Sequence, residues 1–331
     1  MNQTAVHPSS LRIVFHGSNA AQFRPGLESL IGAEHQIEVL SDDLTDPEDV
    51  AHFQAADVVI GIRLTAQMPK LHRLRLYHAP AAGTDAIDAA LLPVGSKLCN
   101  CFGHEQAIAE YVFAALLSRH VPLAKADADL RQQRWTYWAG APNALRTELG
   151  SQTLGVVGLG HIGQAVAHRA RAFGMRVHGC NRSDSQADRV DRLWSLDALD
   201  AFMSSVDAVV ITLPLTEDTR GLIGPRALAA MQPHAVLINV GRGPVVQEQA
   251  LFDALRSRQI GGAVIDTWYQ YPGSGNTKAA PSQLDFASLD NVLMTPHMSG
   301  WTHGTISRRQ QTLAENIRRL ADGRPLINQL G

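Results

Sequence analysis

The segment Gln152-Thr-Leu-Gly-Val-Val-Gly-Leu-Gly-His-Ile-Gly-Gln164 decides how the chain is read. Thr153 to Val157 is a short apolar run of the kind that forms a buried strand, and Gln164 to Phe173 carries Ala165, Val166, Ala167 and Ala170 on a helix. Between them stand Gly158, Gly160 and Gly163. In such a turn the first glycine lets the chain reverse tightly, the second leaves room for a pyrophosphate against bare backbone, and the third lets the helix pack on the strand behind it. The helix start adds free N–H groups and a positive dipole end. Gly174 to Cys180 follows as turn and second strand, so the glycines read as a dinucleotide site; the alternative is a merely Gly-rich βα turn.

The 331 residues, 45% hydrophobic and 18% charged, suffice for two domains with separate cores. With a formal net charge of −2 and no Lys/Arg run, neither nucleic acid nor an anionic membrane surface is an expected partner. Met1 to Ser10 is polar and Leu11 to Phe15 is too short to span a bilayer or direct export. Three cysteines, an odd number, imply no disulfide framework and fit a reducing cytoplasm. Cys99 and Cys101 alternate along a strand-like segment without ligand partners at zinc spacing, so no metal site is expected.

Outward from the glycine turn, β-type runs alternate with helical segments on both sides. Leu11 to Phe15, Ile37 to Leu40, Val58 to Ile62 and Leu74 to Tyr77 precede it, and Ala208 to Leu213, Ala235 to Val240, Gly262 to Ile265 and Asn291 to Met294 follow. The alternation predicts an α/β protein with parallel sheets. Asp57-Val-Val-Ile-Gly-Ile echoes Asp207-Ala-Val-Val-Ile-Thr, which reads as two doubly wound domains. Ala81 to Asp88 reads as a small-residue turn entering a helix, able to offer backbone N–H groups to a carboxylate. His104 to Arg119 reads as a connector helix with a wide apolar face, and Leu313, Ile317 and Leu320 mark a terminal helix that returns to the first domain.

Three further stretches stand at the predicted C-terminal ends of strands, where such sheets bind ligands: Asn239-Val-Gly-Arg-Gly-Pro244, Ile265-Asp-Thr-Trp-Tyr-Gln-Tyr-Pro272 and Met294-Thr-Pro-His-Met-Ser-Gly300. Taken in order with the glycine motif, they resemble the D-isomer-specific 2-hydroxyacid dehydrogenase family, from the Asp57 strand to the final helix. The resemblance implies a Rossmann nucleotide-binding domain, 102–298, inserted in a flavodoxin-like substrate domain, 1–101 and 299–331. It implies hydride transfer between NAD(P)(H) and a 2-keto acid/D-2-hydroxy acid pair, in a homodimer, with the site in a cleft between domains. Arg242 would bind the carboxylate and polarise the keto oxygen, a role suited to its permanently charged planar fork. His297 would be the general acid. Asp266 would hold the carboxamide side of the nicotinamide, the alternative being a cap on local backbone, and the Ala82 and Gly83 N–H groups would bind the substrate carboxylate. Gly158, Gly160, His161, Ile162, Gly163, Leu213, Pro214, Val240, Gly241, Ser299 and Gly300 would line the cofactor.

Several positions depart from the family pattern. The Glu that pairs with the catalytic His is replaced, five residues after Asp266, by Tyr271, which enters the catalytic set in its place. A neutral partner cannot raise the imidazole pKa as a carboxylate would, so reduction is expected to fall as pH rises past about 6.5–7. If it stays flat, Asp285 is the expected assisting acid. Asn181, Arg182 and Ser183 stand where an acidic residue would select NAD(H), which favours NADP(H), with NAD(H) as the alternative should Asp184 reach the ribose. His104 stands on the substrate side where formate dehydrogenases have Asn, and Ala82 where phosphite dehydrogenases have Lys, so neither anion is the expected substrate. Tyr137, Trp138, Trp268, Tyr269 and Trp301 are expected near the cleft, either as an aromatic pocket or as packing. A second functional class, a nucleotide-sensing corepressor-like interaction protein, shares the fold; retention of Arg242 and His297 argues against it.

Overall fold

A computed structural model describes residues 10–32, 34–141, 144–183, 186–273 and 278–330. The chain divides into two compact units, Met1–Gly103 with Trp301–Gly331, and His104–Gly300.

The first unit opens with β1 (Arg12–His16), α1 (Gly17–Ala21), α2 (Arg24–Ile31), β2 (Gln36–Leu40), α3 (Pro47–Ala55), β3 (Val58–Ile60), β4 (Leu76–His78) and β5 (Lys97–Cys99). α3 starts where Asp46 accepts the Glu48 N–H and Pro47 takes the first helical position, where a missing donor costs nothing. The expected small-residue turn from Ala81 to Asp88 is irregular, and the helix it enters is only the 3₁₀ turn Ala89–Leu91. Its alanines favour a helix, but the backbone is claimed elsewhere: Ile87 bridges Leu64, and the Asn100 side chain donates to the Ala82 carbonyl at 2.8 Å.

The second unit contains α4 (Glu105–His120), α5 (Leu123–Arg131), β6 (Thr153–Val157), α6 (His161–Ala172), β7 (Arg176–Asn181), β8 (Arg192–Ser195), α7 (Leu199–Ser204), β9 (Ala208–Ile211), α8 (Pro225–Ala230), β10 (Val236–Asn239), α9 (Glu248–Arg256), β11 (Gly262–Ile265) and β12 (Val292–Met294). α4 buries Ile108, Val112, Phe113 and Leu116 against α6 and its neighbours. The chain then returns to the first unit as α10 (His303–Ala321) and β13 (Gln329–Leu330). Leu313, Ala314 and Ile317 of α10 join the core formed by Ile13, Phe15, Val58 and Leu76.

Among the described residues the first unit's sheet has the order β13-β5-β4-β3-β1-β2, parallel except for β13. The order β2-β1-β3-β4-β5 is that of a flavodoxin-like sheet. The second sheet, β12-β11-β10-β9-β6-β7-β8, is parallel throughout and has Rossmann order. Both are doubly wound, and the second is inserted in the first. The echo between the halves has a physical basis: Asp57 accepts the Arg12 N–H at 2.9 Å and Asp207 accepts the Thr153 N–H at 2.7 Å. In each sheet an aspartate before one central strand thus pins the start of its neighbour. No described helix is long and apolar enough to cross a membrane.

Candidate active site

In the second sheet, winding reverses between β6 and β9, and ligands bind beyond the carboxyl ends of strands at such a point. Gly158 leaves β6 at φ 93°, a left-handed conformation, and a Cβ there would sit 2.8 Å from the Leu213 side chain. The Thr212 hydroxyl donates to the Gly158 carbonyl at 2.6 Å and fixes the turn. At Gly163 a Cβ would fall 2.0 Å from the Gly158 carbonyl oxygen, so only glycine allows α6 this close to the turn. Gly160 faces open space, with nothing within 4 Å of an added Cβ. It caps α6 without a side-chain hydrogen bond, so the first-turn amides face that space without a capping side chain. His161 and Ile162 begin the helix, and Leu213 and Pro214 follow β9. The residues present fit the pyrophosphate of a dinucleotide, which an open, uncapped helix start of this kind could hold.

At the end of β7 the Asn181 amide donates to the Ser183 carbonyl at 3.1 Å, with Arg182 and Ser183 exposed. Asp184 lies outside the described residues.

The turn after β10 is built to project one side chain. Asn239 is buried; its amide oxygen accepts the Gly241 N–H at 3.1 Å and its amide nitrogen donates to the Arg242 carbonyl at 3.1 Å. Gly241, next to buried Val240, packs on the Leu213 backbone, where a Cβ would lie 2.6 Å from its carbonyl oxygen. Gly243 packs on Trp268, with 2.3 Å left between a Cβ and the carbonyl oxygen. Arg242, half-buried between the two glycines, donates from Nη1 to the Gly241 carbonyl at 3.0 Å. The Asn-x-Gly-Arg-Gly spacing is thus a clamp around one guanidinium, and the anchoring duty of Asn239 was not assigned from sequence.

The loop after β12 carries His297 at φ 56°, a strained setting for a non-glycine residue that costs on the order of 1 kcal/mol. Asp266, at the end of β11 and fully buried, holds it there. One carboxylate oxygen accepts the Thr295 hydroxyl at 2.6 Å and the Met298 N–H at 2.9 Å, and the other accepts the Ser299 N–H at 3.0 Å. Tyr111 of α4 donates in turn to the Thr295 hydroxyl at 2.6 Å. Burial pushes the Tyr111 phenol up to about 12, so it remains a donor. Three of roughly four lone-pair directions of Asp266 therefore serve the loop, the local-backbone duty that stood as the alternative to the cofactor. Gly300 ends the loop beside His104, with 3.4 Å between an added Cβ and the His104 Cβ. His104 is buried at the start of α4, its Nδ1 3.7 Å from the Glu105 carboxylate.

Trp268 joins the two loops. Its carbonyl abuts Gly243, its N–H donates to the Tyr271 hydroxyl at 3.1 Å, and its indole N–H donates to the Thr295 carbonyl at 2.8 Å. Tyr271 is 2.9 Å from His297 Nδ1. Of the two readings of the aromatic residues, packing describes those placed here. Trp268 and Tyr269 pack on Phe286 in the core of the second unit, and Trp301 meets Phe23 edge-on in the first. Burial places Trp268, 4% exposed, in the core, whereas Trp301 stays 45% exposed. Asp285 is exposed and opens the 3₁₀ turn Phe286–Ser288; the side chain beside His297 is Tyr271. Ala82 and Gly83 lie in the first unit, on the irregular segment after β4.

A family model for the NAD binding domain of D-isomer specific 2-hydroxyacid dehydrogenases matches residues 113–299. A glyoxylate reductase of Korarchaeum cryptofilum is 32% identical over 88% of this chain and 82% of its own length. The chain belongs to the D-isomer specific 2-hydroxyacid dehydrogenase family. A family member from Aeromonas salmonicida has a similar structure, with TM-score 0.80 at 27% identity over 96% of this chain and 98% of that one. So has an acyclic imino acid reductase solved with NADPH and D-Arg, with TM-score 0.78 at 26% identity over 96% of this chain and all of that one. The protein is accordingly an NAD(P)-dependent oxidoreductase of this family.

Proposed function

We propose that the protein reduces a 2-keto acid to the D-2-hydroxy acid and prefers NADP(H). The observation that carries this reading is the joining, through the backbone and indole of Trp268, of the loops bearing Arg242 and His297. A dinucleotide on the Gly158–Gly163 turn supplies the hydride. Arg242 pairs with the substrate carboxylate and polarises the keto oxygen, a charge-assisted contact worth about 1.5–3 kcal/mol. His297 delivers the proton that balances the hydride. The Ala82 and Gly83 amides bind the carboxylate from the first unit, and His104 bounds the substrate side. Asp266 fixes the His297 loop and retains one lone-pair direction for the nicotinamide carboxamide.

Arg182 with Asn181 and Ser183 supports the cofactor preference, because these side chains suit a 2′-phosphate and carry no carboxylate against it. KM for NADPH is expected to be at least about tenfold below that for NADH, a gap that Arg182→Ala closes; a tenfold preference for NADH would reject it. Glyoxylate, hydroxypyruvate, pyruvate, 2-ketoisocaproate and phenylpyruvate, screened with NADPH against an Arg242→Ala control, test the reaction. If none is turned over above the control, the corepressor-like reading takes its place. The imino acid reductase among the similar structures gives a second reading, since an iminium arrives already protonated and asks less of His297. Turnover that requires added ammonia or methylamine would favour it.

A homodimer in the cytoplasm completes the proposal. Leu123, Leu130, Trp135, Trp138 and Leu145 are between 51 and 92% exposed along one segment, an apolar surface for a second copy to cover. Cys99, Cys101 and Cys180 are buried free thiols, as suits a reducing compartment. Sedimentation equilibrium at micromolar concentration should give twice the chain mass, and a monomer would dismiss the dimer.

A further inference from the structure

The oxygen beside His297 belongs to a phenol, and a phenol both accepts and donates. A backbone amide only donates, so the Trp268 N–H, 3.1 Å from the Tyr271 hydroxyl, meets an oxygen lone pair and not the phenolic proton. At 2.9 Å from the same oxygen stands Nδ1 of His297. We propose that Tyr271 is a positioning residue that donates its proton to Nδ1, so that His297 presents a proton on Nε2 in both of its charge states. The inference rests on the reductase reading and specifies how its acid works.

A carboxylate in this place could only accept. It would fix the proton of a neutral imidazole on Nδ1 and leave a bare lone pair at Nε2, so such a dyad donates only as imidazolium. With a phenol, the imidazolium gives Nδ1–H to the Tyr271 oxygen, and the neutral ring takes the Tyr271 proton; Nε2 carries hydrogen either way. As the carbonyl carbon receives hydride from the nicotinamide donor, the Nε2–H bond breaks and the substrate O–H bond forms. For a neutral ring, the phenolic O–H bond breaks as the Nδ1–H bond forms, and the phenolate is held by the Trp268 amide. Tyr271 is 50% exposed, so the phenolate regains its proton from water. A phenol titrates near 10, far above imidazole, so the supply lasts well into alkaline solution.

Other titratable groups surround the pair. Asp266 bonds the two amides after His297, and Tyr111 reaches the same loop through Thr295. Tyr269 lies two residues before Tyr271, and Glu248 of α9 bonds Ser282 and Gln283 on the return of that segment. Arg242 stands on the turn packed against Trp268. The alkaline decline expected from a merely uncharged partner is therefore not the behaviour this geometry supports.

The test is the pH profile of kcat/KM for 2-keto acid reduction in wild type, Tyr271→Phe and Tyr271→Glu. Wild type should lose less than about threefold between pH 6 and 9, whereas Tyr271→Phe should match it near pH 6 and lose about tenfold per unit above 7. Tyr271→Glu should recover activity near neutrality with a separate alkaline limb, as a raised imidazole pKa requires. Parallel wild-type and Tyr271→Phe profiles overturn the proposal. Long-range ¹H–¹⁵N NMR of His297 needs no turnover: the neutral ring should be the Nε2–H tautomer in wild type and a mixture in Tyr271→Phe. A wild-type Nδ1–H tautomer overturns the proposal even if reduction is robust, and absence of turnover with the expected tautomer indicts the reductase reading instead.

Discussion

Each sheet leaves its central strand through a left-handed glycine, Gly17 after β1 at φ 86° and Gly158 after β6 at φ 93°, and each chain then turns into a helix. What the helix start meets is opposite. In the first unit the turn is filled from within: the Asp42 carboxylate accepts the Ser18 N–H at 3.2 Å, and a Cβ on Gly17 would come 2.4 Å from it. In the second, Gly160 opens on empty space and α6 has no side-chain cap. The same topology thus satisfies its amides with a resident anion on one side and leaves them for a diffusible one on the other. The nucleotide role proposed for the second turn rests on an omission at residue 160, more than on the order of strands.

The strongest way to break the contrast is at Gly163. Alanine there puts a methyl 2.0 Å from the Gly158 carbonyl oxygen, and because that atom is backbone, the turn itself must move. NADPH binding by Gly163→Ala is expected to weaken by more than about a hundredfold, with a loss of several degrees in Tm. Fluorescence titration and calorimetry measure both, and a Kd within threefold of wild type would mean the turn is not the cofactor cradle. Gly160→Asp asks the sharper question, since it gives the second unit the internal carboxylate of the first. Residue 160 has φ −72° and open surroundings, so the fold should tolerate it with little change in Tm. The Kd for NADPH should rise by roughly ten- to a hundredfold through like-charge repulsion, and less so at high salt.

Those glycines were legible in the sequence because their duties are local: a positive φ and two close approaches within six residues. Asp57 and Asp207 were legible as a repeat but not in their duty, because the strands they pin begin 45 and 54 residues away. Other features depend on what the chain meets from afar. β8, Arg192–Ser195, lies at a sheet edge with only Leu193 and Trp194 as apolar residues, and β13 has two exposed residues. The turn over 81–88 was expected to enter a full helix, yet Ile87 pairs with Leu64 and only a 3₁₀ turn follows. At the site, counting along the chain reached Tyr271, whereas the direction of the Trp268 amide, which turns the phenol toward donation, has no sequence signature. Hydrophobicity likewise placed Trp268 among aromatic residues without saying that it faces the core.

The units should also differ in their response to acid. His78, in the middle of the first core, is buried completely, and burial lowers its pKa to about 4. Asn316 of α10 lies 2.9 Å from its Nε2. Burial likewise lowers His16. An imidazole that titrates near 6.5 when unfolded and near 4 when folded leaves the unfolded chain with more protons between those values. Stability should therefore be flat above about pH 6.5 and fall by about 3 kcal/mol toward pH 4 from His78 alone. Urea unfolding across this range measures it, with a fluorophore on each unit to show whether the first yields earlier. Equal stability at pH 4.5 and 7 would mean that His78 is solvated more than its packing implies.

The smallest expected effect comes from emptying the filled turn. Asp42→Ala removes the acceptor of the Ser18 N–H and leaves α1, a helix of only five residues, without its partner. Ser18 is exposed, so water can replace the carboxylate in part and the loss should be about 1 kcal/mol, a few degrees in Tm. NADPH affinity should not change, because the vacated amides lie on the first sheet. The informative outcome is what phosphate then does. If inorganic phosphate raises the Tm of Asp42→Ala but not of wild type, the first turn retains an anion preference that its own aspartate satisfies. If phosphate acts equally on both proteins, five residues of helix are too short to hold an anion, and the resident carboxylate serves only to pin the end of β2 to the turn after β1.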